Sequence, residues 1–386
     1  MIIWFKWIGR LCLNVNKLWE FYIICFLEAV ISMKVWNKMV FLFCFITIGV
    51  IVSINYIVDP HGINHKYKIA EFNFIKYLLR DERNMKFNHL QNNDDYKAVI
   101  LGTSKGAYLD TAFVEKYTKL KTYNASFSGG GVDEFLLYTK WLVKNRNIKL
   151  LIIDFEFYSF SDFKYIGSLP LDLFGEERNS KTQQLRQFFL NYLNRSVFLD
   201  SLRTIIYNKF YSYKFGKESA DRRVEFYKKG MRYDKDYFLY MNSTELLEEH
   251  IKTQENAIIE WHGTEIIQSR VDELLEIKKL CTEYNVELVL LQNPSSYLQL
   301  RHNSYENYKQ LLSLVKYIVK NINDVYFFND LNSINYNLEF FRDNLHFNYR
   351  ASENIFNKVF LDDGVGIKLT KENIEEFYDR TLKTIN

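Results

Sequence analysis

From Met39 to Val58 the chain carries twenty residues without a charge, MVFLFCFITIGVIVSINYIV. A helix rising about 1.5 Å per residue crosses the roughly 30 Å hydrocarbon core of a bilayer in that length. The run is apolar on every face, with Lys34 and Lys38 before it and Asp59-Pro60 after it, so it reads as a transmembrane helix over 39–58 and not as one face of a core helix. Lysines on the N-terminal flank favour a cytoplasmic N-terminus, which puts everything after Asp59 on the extracytoplasmic side. No small-residue cleavage site follows the run, so the expectation is a single-pass anchor and not a released leader. Within the N-terminal cytoplasmic segment 1–38, Phe21 to Leu27 is apolar but bracketed by Glu20 and Glu28, too short to span. It reads as an interfacial helix, or residues 1–32 are a mis-assigned upstream extension of a chain that starts at Met33.

With 386 residues and 48% apolar composition, the chain can bury a full core. Fifty basic against forty-seven acidic residues leave a net charge of +3, and no basic run is interleaved with aromatics, so nucleic acid is not an expected partner. Of the four cysteines, Cys12, Cys25 and Cys44 lie in or before the apolar run, which leaves Cys281 alone in the globular part. That excludes a disulfide framework there. No Cys/His cluster has structural zinc spacing, and neither a metal nor a cofactor is expected.

Residues 59–96 are polar and mixed and read as a collar. After them strands and helices alternate: strand Lys97 to Leu101, helix about 105–119, strand Thr122 to Ala125, helix about 132–146, strand Lys149 to Phe155. The rhythm lapses over 166–260, where polar stretches such as Lys181 to Asn208 suggest an inserted helical subdomain. It resumes with helix Glu265 to Tyr284, strand Val286 to Gln292, helix Tyr305 to Asn321 and strand Val325 to Phe328. The expected fold is a three-layer α/β/α domain over 97–165 and 261–362, with a mostly parallel, five-stranded, flavodoxin-like sheet. Residues 363–386 read as a charged helical tail.

The first strand runs into Val99-Ile100-Leu101-Gly102-Thr103-Ser104-Lys105-Gly106. A strand that stops on a Ser and turns into a helix holds that hydroxyl at the open end of the sheet, where it can act as a nucleophile. Gly-Thr-Ser also occurs in ordinary βα loops, where the Ser simply caps the helix. What favours the nucleophile is Asp343-Asn344-Leu345-His346 near the far end of the chain, a carboxylate and an imidazole three residues apart before a helical stretch near Tyr349. His346 would take the Ser104 proton and Asp343 would hold the imidazole tautomer; the plainer reading is a histidine packed near a helix start. Asn124-Ala125-Ser126-Phe127-Ser128-Gly129-Gly130-Gly131 ends the second strand and opens a helix. Its amides, with Asn124, Ser128, Gly129 and Gly130 as candidates, can supply oxyanion or substrate contacts beside the Ser104 amide, unless the loop is only a glycine-rich turn. Asp154, Glu156 and Asn293-Pro294 fall on the same rim, where parallel sheets place their sites.

Ser after the first strand, Gly after the second and a late Asp-x-x-His resemble the SGNH (GDSL-like) hydrolase and acyltransferase superfamily. The N-terminal apolar helix followed by Val58-Asp59-Pro60-His61-Gly62-Ile63 and then Val99-Ile100-Leu101-Gly102-Thr103-Ser104 is similar to its membrane-anchored members, including proteins of alginate O-acetylation and teichoic acid D-alanylation. The resemblance covers roughly 58–165 and 265–360. It implies Ser104 as nucleophile, Gly129 as the second-block oxyanion glycine, and Asp343 with His346 as the rest of a triad. It further implies acyl transfer or ester hydrolysis on a cell-surface polysaccharide, and a multi-pass membrane O-acyltransferase as partner. The superfamily's third block, Gly-x-Asn-Asp, here reads Asp154-Phe155-Glu156-Phe157, which removes its side-chain oxyanion donor. The alternative expectation is therefore a non-catalytic scaffold or glycan-binding partner of a membrane acyltransferase complex.

Overall fold

Short apolar runs separated by amphipathic ones build a sheet with apolar cores on both faces. The computed structural model describes residues 34–61, 69, 72–73, 82–161, 185, 188–189, 192–215, 229–232, 245, 248–250, 252–253, 265–302 and 305–385. The expectations for the start of the chain, for most of the collar between 62 and 81 and for most of the 166–260 insertion lie outside these residues. In chain order the helices used below are α1 (Lys34–Val58), α2 (Glu82–Asn92), α3 (Thr111–Thr118), α4 (Val132–Asn145), α5 (Arg195–Phe215), α6 (Gln268–Glu283), α7 (Tyr297–His302), α8 (Tyr305–Asn321), α9 (Ala351–Leu361) and α10 (Ile374–Ile385).

Among the described residues six strands form one sheet: β1 (Ala98–Leu101), β2 (Thr122–Asn124), β3 (Leu150–Asp154), β4 (Glu287–Gln292), β5 (Val325–Phe327) and β6 (Ile367–Leu369), in the order β2-β1-β3-β4-β5-β6. The first five run parallel, and β6 pairs antiparallel with β5. Every residue of β1 and β3 is buried, as the centre of a sheet covered on both faces requires. Alternate residues divide between two cores. Val99, Leu101, Leu151, Ile153 and Leu290 pack with α4, α6 and α8, while Ala98, Ile100, Leu150, Ile152 and Leu291 pack with α3 and α9.

The sixth strand corrects the five-stranded expectation and the reading of 363–386 as a helical tail. Ile367-Lys368-Leu369 is too short to register as an alternating run, and its strand conformation comes from pairing, Val325 with Leu369 and Phe327 with Ile367. The helix begins only at Ile374 and buries Ile374 and Phe377 against the larger core, so the α/β unit extends beyond 362. The expected helix over 105–119 is also divided. Gly106–Tyr108 forms a 3-10 turn, and α3 starts where Asp110 accepts from the Ala112 amide at 2.8 Å.

Among the described residues one helix, over Lys38–Val58, is long and apolar enough to cross a membrane, and only 6% of its most apolar stretch is buried within the protein. Its last turn is tied to the globular part. Asn55 Nδ2 donates to the Tyr192 carbonyl and Asn55 Oδ1 accepts from Ser201 Oγ of α5, each at 2.8 Å.

Candidate active site

The turn after β1 is shaped by a carboxylate beneath it. Thr103 N, Thr103 Oγ1 and Gly106 N donate to Asp154 Oδ2 at 3.2, 2.9 and 2.9 Å, and Asn293 Nδ2 donates to Asp154 Oδ1 at 2.7 Å. A Cβ on Gly102 would lie 2.7 Å from Asp154 Cβ, so only glycine lets the two strand ends approach this closely. Burial pushes the Asp154 carboxyl up, against the downward pull of the Thr103 hydroxyl, the Lys105 charge and the two amides. Asp154 thus clamps the turn that carries Ser104. Its neighbour Glu156 pairs with Lys105 at 2.9 Å, and Lys105 Nζ also donates to Ser295 Oγ at 2.7 Å. Burial foremost, with the Asp154 charge, pushes Glu156 up to about 7 against the pull of Lys105.

The structure brings Ser104, His346 and Asp343 together from the two ends of the fold. Phe341 and Phe347 are fully buried in the second core and form an antiparallel bridge, closing a tight hairpin closed further by Arg342 N donating to the His346 carbonyl at 2.9 Å. At its tip the amides of Leu345 and His346 donate to Asp343 Oδ1 at 3.0 and 2.8 Å. The same carboxylate meets His346 Nδ1 at 2.9 and 3.0 Å, and His346 Nε2 lies 2.8 Å from Ser104 Oγ. A carboxylate on Nδ1 fixes the proton there and leaves Nε2 to accept from the serine hydroxyl. Burial raises the Asp343 carboxyl, but hydrogen bonding and charge from His346 outweigh it and hold the group below its ordinary range.

The loop after β2 touches the serine turn directly. Phe127 N donates to the Gly102 carbonyl at 3.0 Å, and a Cβ on Gly130 would meet that carbonyl at 2.8 Å. Gly129 has φ +61, which favours glycine, and its carbonyl accepts from Arg83 Nη2 at 3.2 Å. Among the described residues, the amides of Ser104, Gly129 and Gly130 have no hydrogen-bond acceptor. These unpaired N–H groups on two touching loops are suited to a developing negative charge.

Two of the candidates do other work. Asn124 is fully buried, donating to the carbonyls of Gly106 and Leu109 at 2.8 and 3.0 Å and accepting from Ser126 N at 3.0 Å. Its side chain braces the turn, and both of its N–H donors are spent there, which leaves none for an oxyanion. Ser128 is held by Glu82, which accepts from its amide at 3.2 Å, and by Arg232, which donates to its hydroxyl. No family model matches the chain, and no curated protein matches it either.

Sequence reasoning missed the supports behind this loop. Glu82 pairs with Arg232 and, at 3.4 Å, with Lys86, which in turn donates to the Ser126 carbonyl; Arg83 pairs with Glu134 at 2.6 Å. Burial raises Glu82, but the charges of Arg232 and Lys86 overcome it and hold the carboxyl at about 2. The i,i+4 spacing of Glu82 and Lys86 was the available signal. Arg232 follows a segment with no periodicity to place it. Tyr158 was also missed; it follows β3 by four residues, and its hydroxyl faces the side chains of Thr103 and Ser104.

Proposed function

We propose that the chain is a membrane-anchored serine acyltransferase or esterase of the SGNH type, acting on a cell-surface polysaccharide on the extracytoplasmic side. The observation that carries this reading is the continuous relay from Ser104 Oγ to His346 Nε2 at 2.8 Å and from His346 Nδ1 to Asp343 at 2.9 Å. Ser104 attacks the carbonyl carbon of an acyl ester and passes its proton to Nε2; the imidazolium, stabilised by Asp343, returns that proton to the leaving alcohol. The resulting acyl-serine is transferred to a sugar hydroxyl or to water by the same steps in reverse order. The strand order 2-1-3-4-5 of the parallel part supports the flavodoxin-like, three-layer expectation, with the site at the carboxyl ends of β1 and β2.

Transfer in preference to hydrolysis, a polysaccharide acceptor and a multi-pass acyltransferase partner rest on the family resemblance. The scaffold alternative draws on the carboxylates of the third block. Against it, Asp154 accepts from the serine turn with Oδ2 and from Asn293 with Oδ1, and Glu156 is paired with Lys105, so neither stands as an exposed negative charge against an oxyanion. The test is turnover of an activated ester, p-nitrophenyl acetate, by the full chain in detergent. Wild type hydrolyses it, while Ser104→Ala and His346→Ala fold but do not; a Ser104→Ala variant as active as wild type overturns the assignment.

A further inference from the structure

The 3-10 turn Phe157–Phe160 buries Phe157, Ser159 and Phe160 and leaves Tyr158 partly exposed at the rim. The turn is fixed at both ends. Glu156 N donates to Ser159 Oγ at 3.2 Å, Ser159 N to the Glu156 carbonyl at 3.0 Å, and Ile267 N to the Phe160 carbonyl at 2.8 Å. It also follows β3, whose register with β1 is set by four consecutive residue pairs. The position of Tyr158 relative to Ser104 is therefore dictated by the sheet. Its phenolic hydroxyl lies against the side chains of Thr103 and Ser104. The other polar side chains that β3 and its turn send to this rim, Asp154 and Glu156, are acceptors already engaged below the turn.

We propose that the Tyr158 hydroxyl is the side-chain donor of the oxyanion hole, completing the set begun by the Ser104 and Gly129–Gly130 amides. The proposal rests on reading Ser104 as the acyl-accepting nucleophile. When Ser104 Oγ bonds to the acyl carbon, its proton moves to His346 Nε2 and the carbonyl π pair moves onto oxygen. Tyr158 donates a hydrogen bond to that oxygen and keeps its own proton. When the tetrahedral species collapses, the pair returns to the carbonyl and the C–O bond to the leaving alcohol breaks, with the proton supplied by His346. Burial foremost, and the nearby charge of Glu156, raise the phenol above its ordinary value, so it stays a donor throughout the neutral range. A neutral O–H fixed by strand register needs no reorganisation as charge develops, which is the property such a donor requires.

The experiment measures the rate of labelling of the full chain in detergent by a fluorophosphonate, across pH, for wild type, Tyr158→Phe and Ser104→Ala. The phosphoryl oxygen of the probe occupies the same hole as an acyl oxygen. Tyr158→Phe keeps the ring and removes one donor, so labelling slows about 10²- to 10³-fold with the pH midpoint of wild type. Labelling of Tyr158→Phe at the wild-type rate, or a slowing accompanied by a displaced pH midpoint, which marks a disturbed triad, overturns the proposal. Failure of the parent reading looks different: wild type itself is then unlabelled, whatever residue 158 is.

Discussion

Asp343 accepts at once from two amides of its own hairpin and from His346 Nδ1, so it orders the loop and the imidazole together. Replacing it with Asn preserves an acceptor for the amides but forfeits the charge that fixes the tautomer. Asp343→Asn should lower ester turnover about 10⁴-fold while leaving the fold intact, measured by p-nitrophenyl acetate hydrolysis beside a thermal melt. The carboxyl is held below its ordinary value, so its stabilisation is present above the carboxylate range and is lost as pH falls. The stability gap between wild type and Asp343→Asn should accordingly close as pH falls below about 4, followed by urea midpoints. Glu82 follows the same sign with more at stake, because it neutralises the buried Lys86 and the partly buried Arg232. Its folded value of about 2 lies under the reference 4.5, so its contribution is lost between about 4.5 and about 2. Glu82→Gln leaves two cations without their carboxylate and should cost about 3–5 kcal/mol in denaturant unfolding at neutral pH.

At the scale of elements, the site is made where two βα loops press together. The Gly130 backbone sits so close to the Gly102 carbonyl that a methyl group would intrude at 2.8 Å, and Phe135 ring atoms stand equally near. Gly130→Ala should therefore destabilise by about 1–3 kcal/mol and slow turnover about 10²-fold through displacement of the amides, read from a melt and from ester hydrolysis. Strands were legible in the sequence because apolar runs such as Val99-Ile100-Leu101 and Leu150-Leu151-Ile152-Ile153 must be buried on both faces. Their ends fell within about one residue of Ala98–Leu101 and Leu150–Asp154. β6 was not legible, since three residues carry no period and their conformation depends on β5. The role of Asn124 was hidden for a similar reason: its two carbonyl partners belong to the turn beyond β1, more than ten residues away in sequence. Ser104, Asp343 and His346 could be singled out because each is a reactive type at a strand end or in a short spacing. Tyr158, one tyrosine among 28, could not.

For the whole molecule, the last turn of α1 ties the apolar helix to the rest of the chain through Asn55, Tyr192 and Ser201. The proposed orientation places β6 and α10 outside the cytoplasm. Lys371, exposed between them, offers a reporter in a chain whose Cys12 and Cys25 are changed to Ser, because Cys281 is buried and Cys44 lies in the apolar helix. Lys371→Cys should react with a membrane-impermeant maleimide in intact cells, and reaction only after permeabilisation contradicts the orientation. The central claim is that Ser104 is an activated nucleophile, and it is tested most directly by treating the full chain in detergent with a fluorophosphonate and mapping the adduct by peptide mass spectrometry. The account predicts one adduct on Ser104, lost in His346→Ala. A folded wild type that carries no adduct on Ser104 contradicts it.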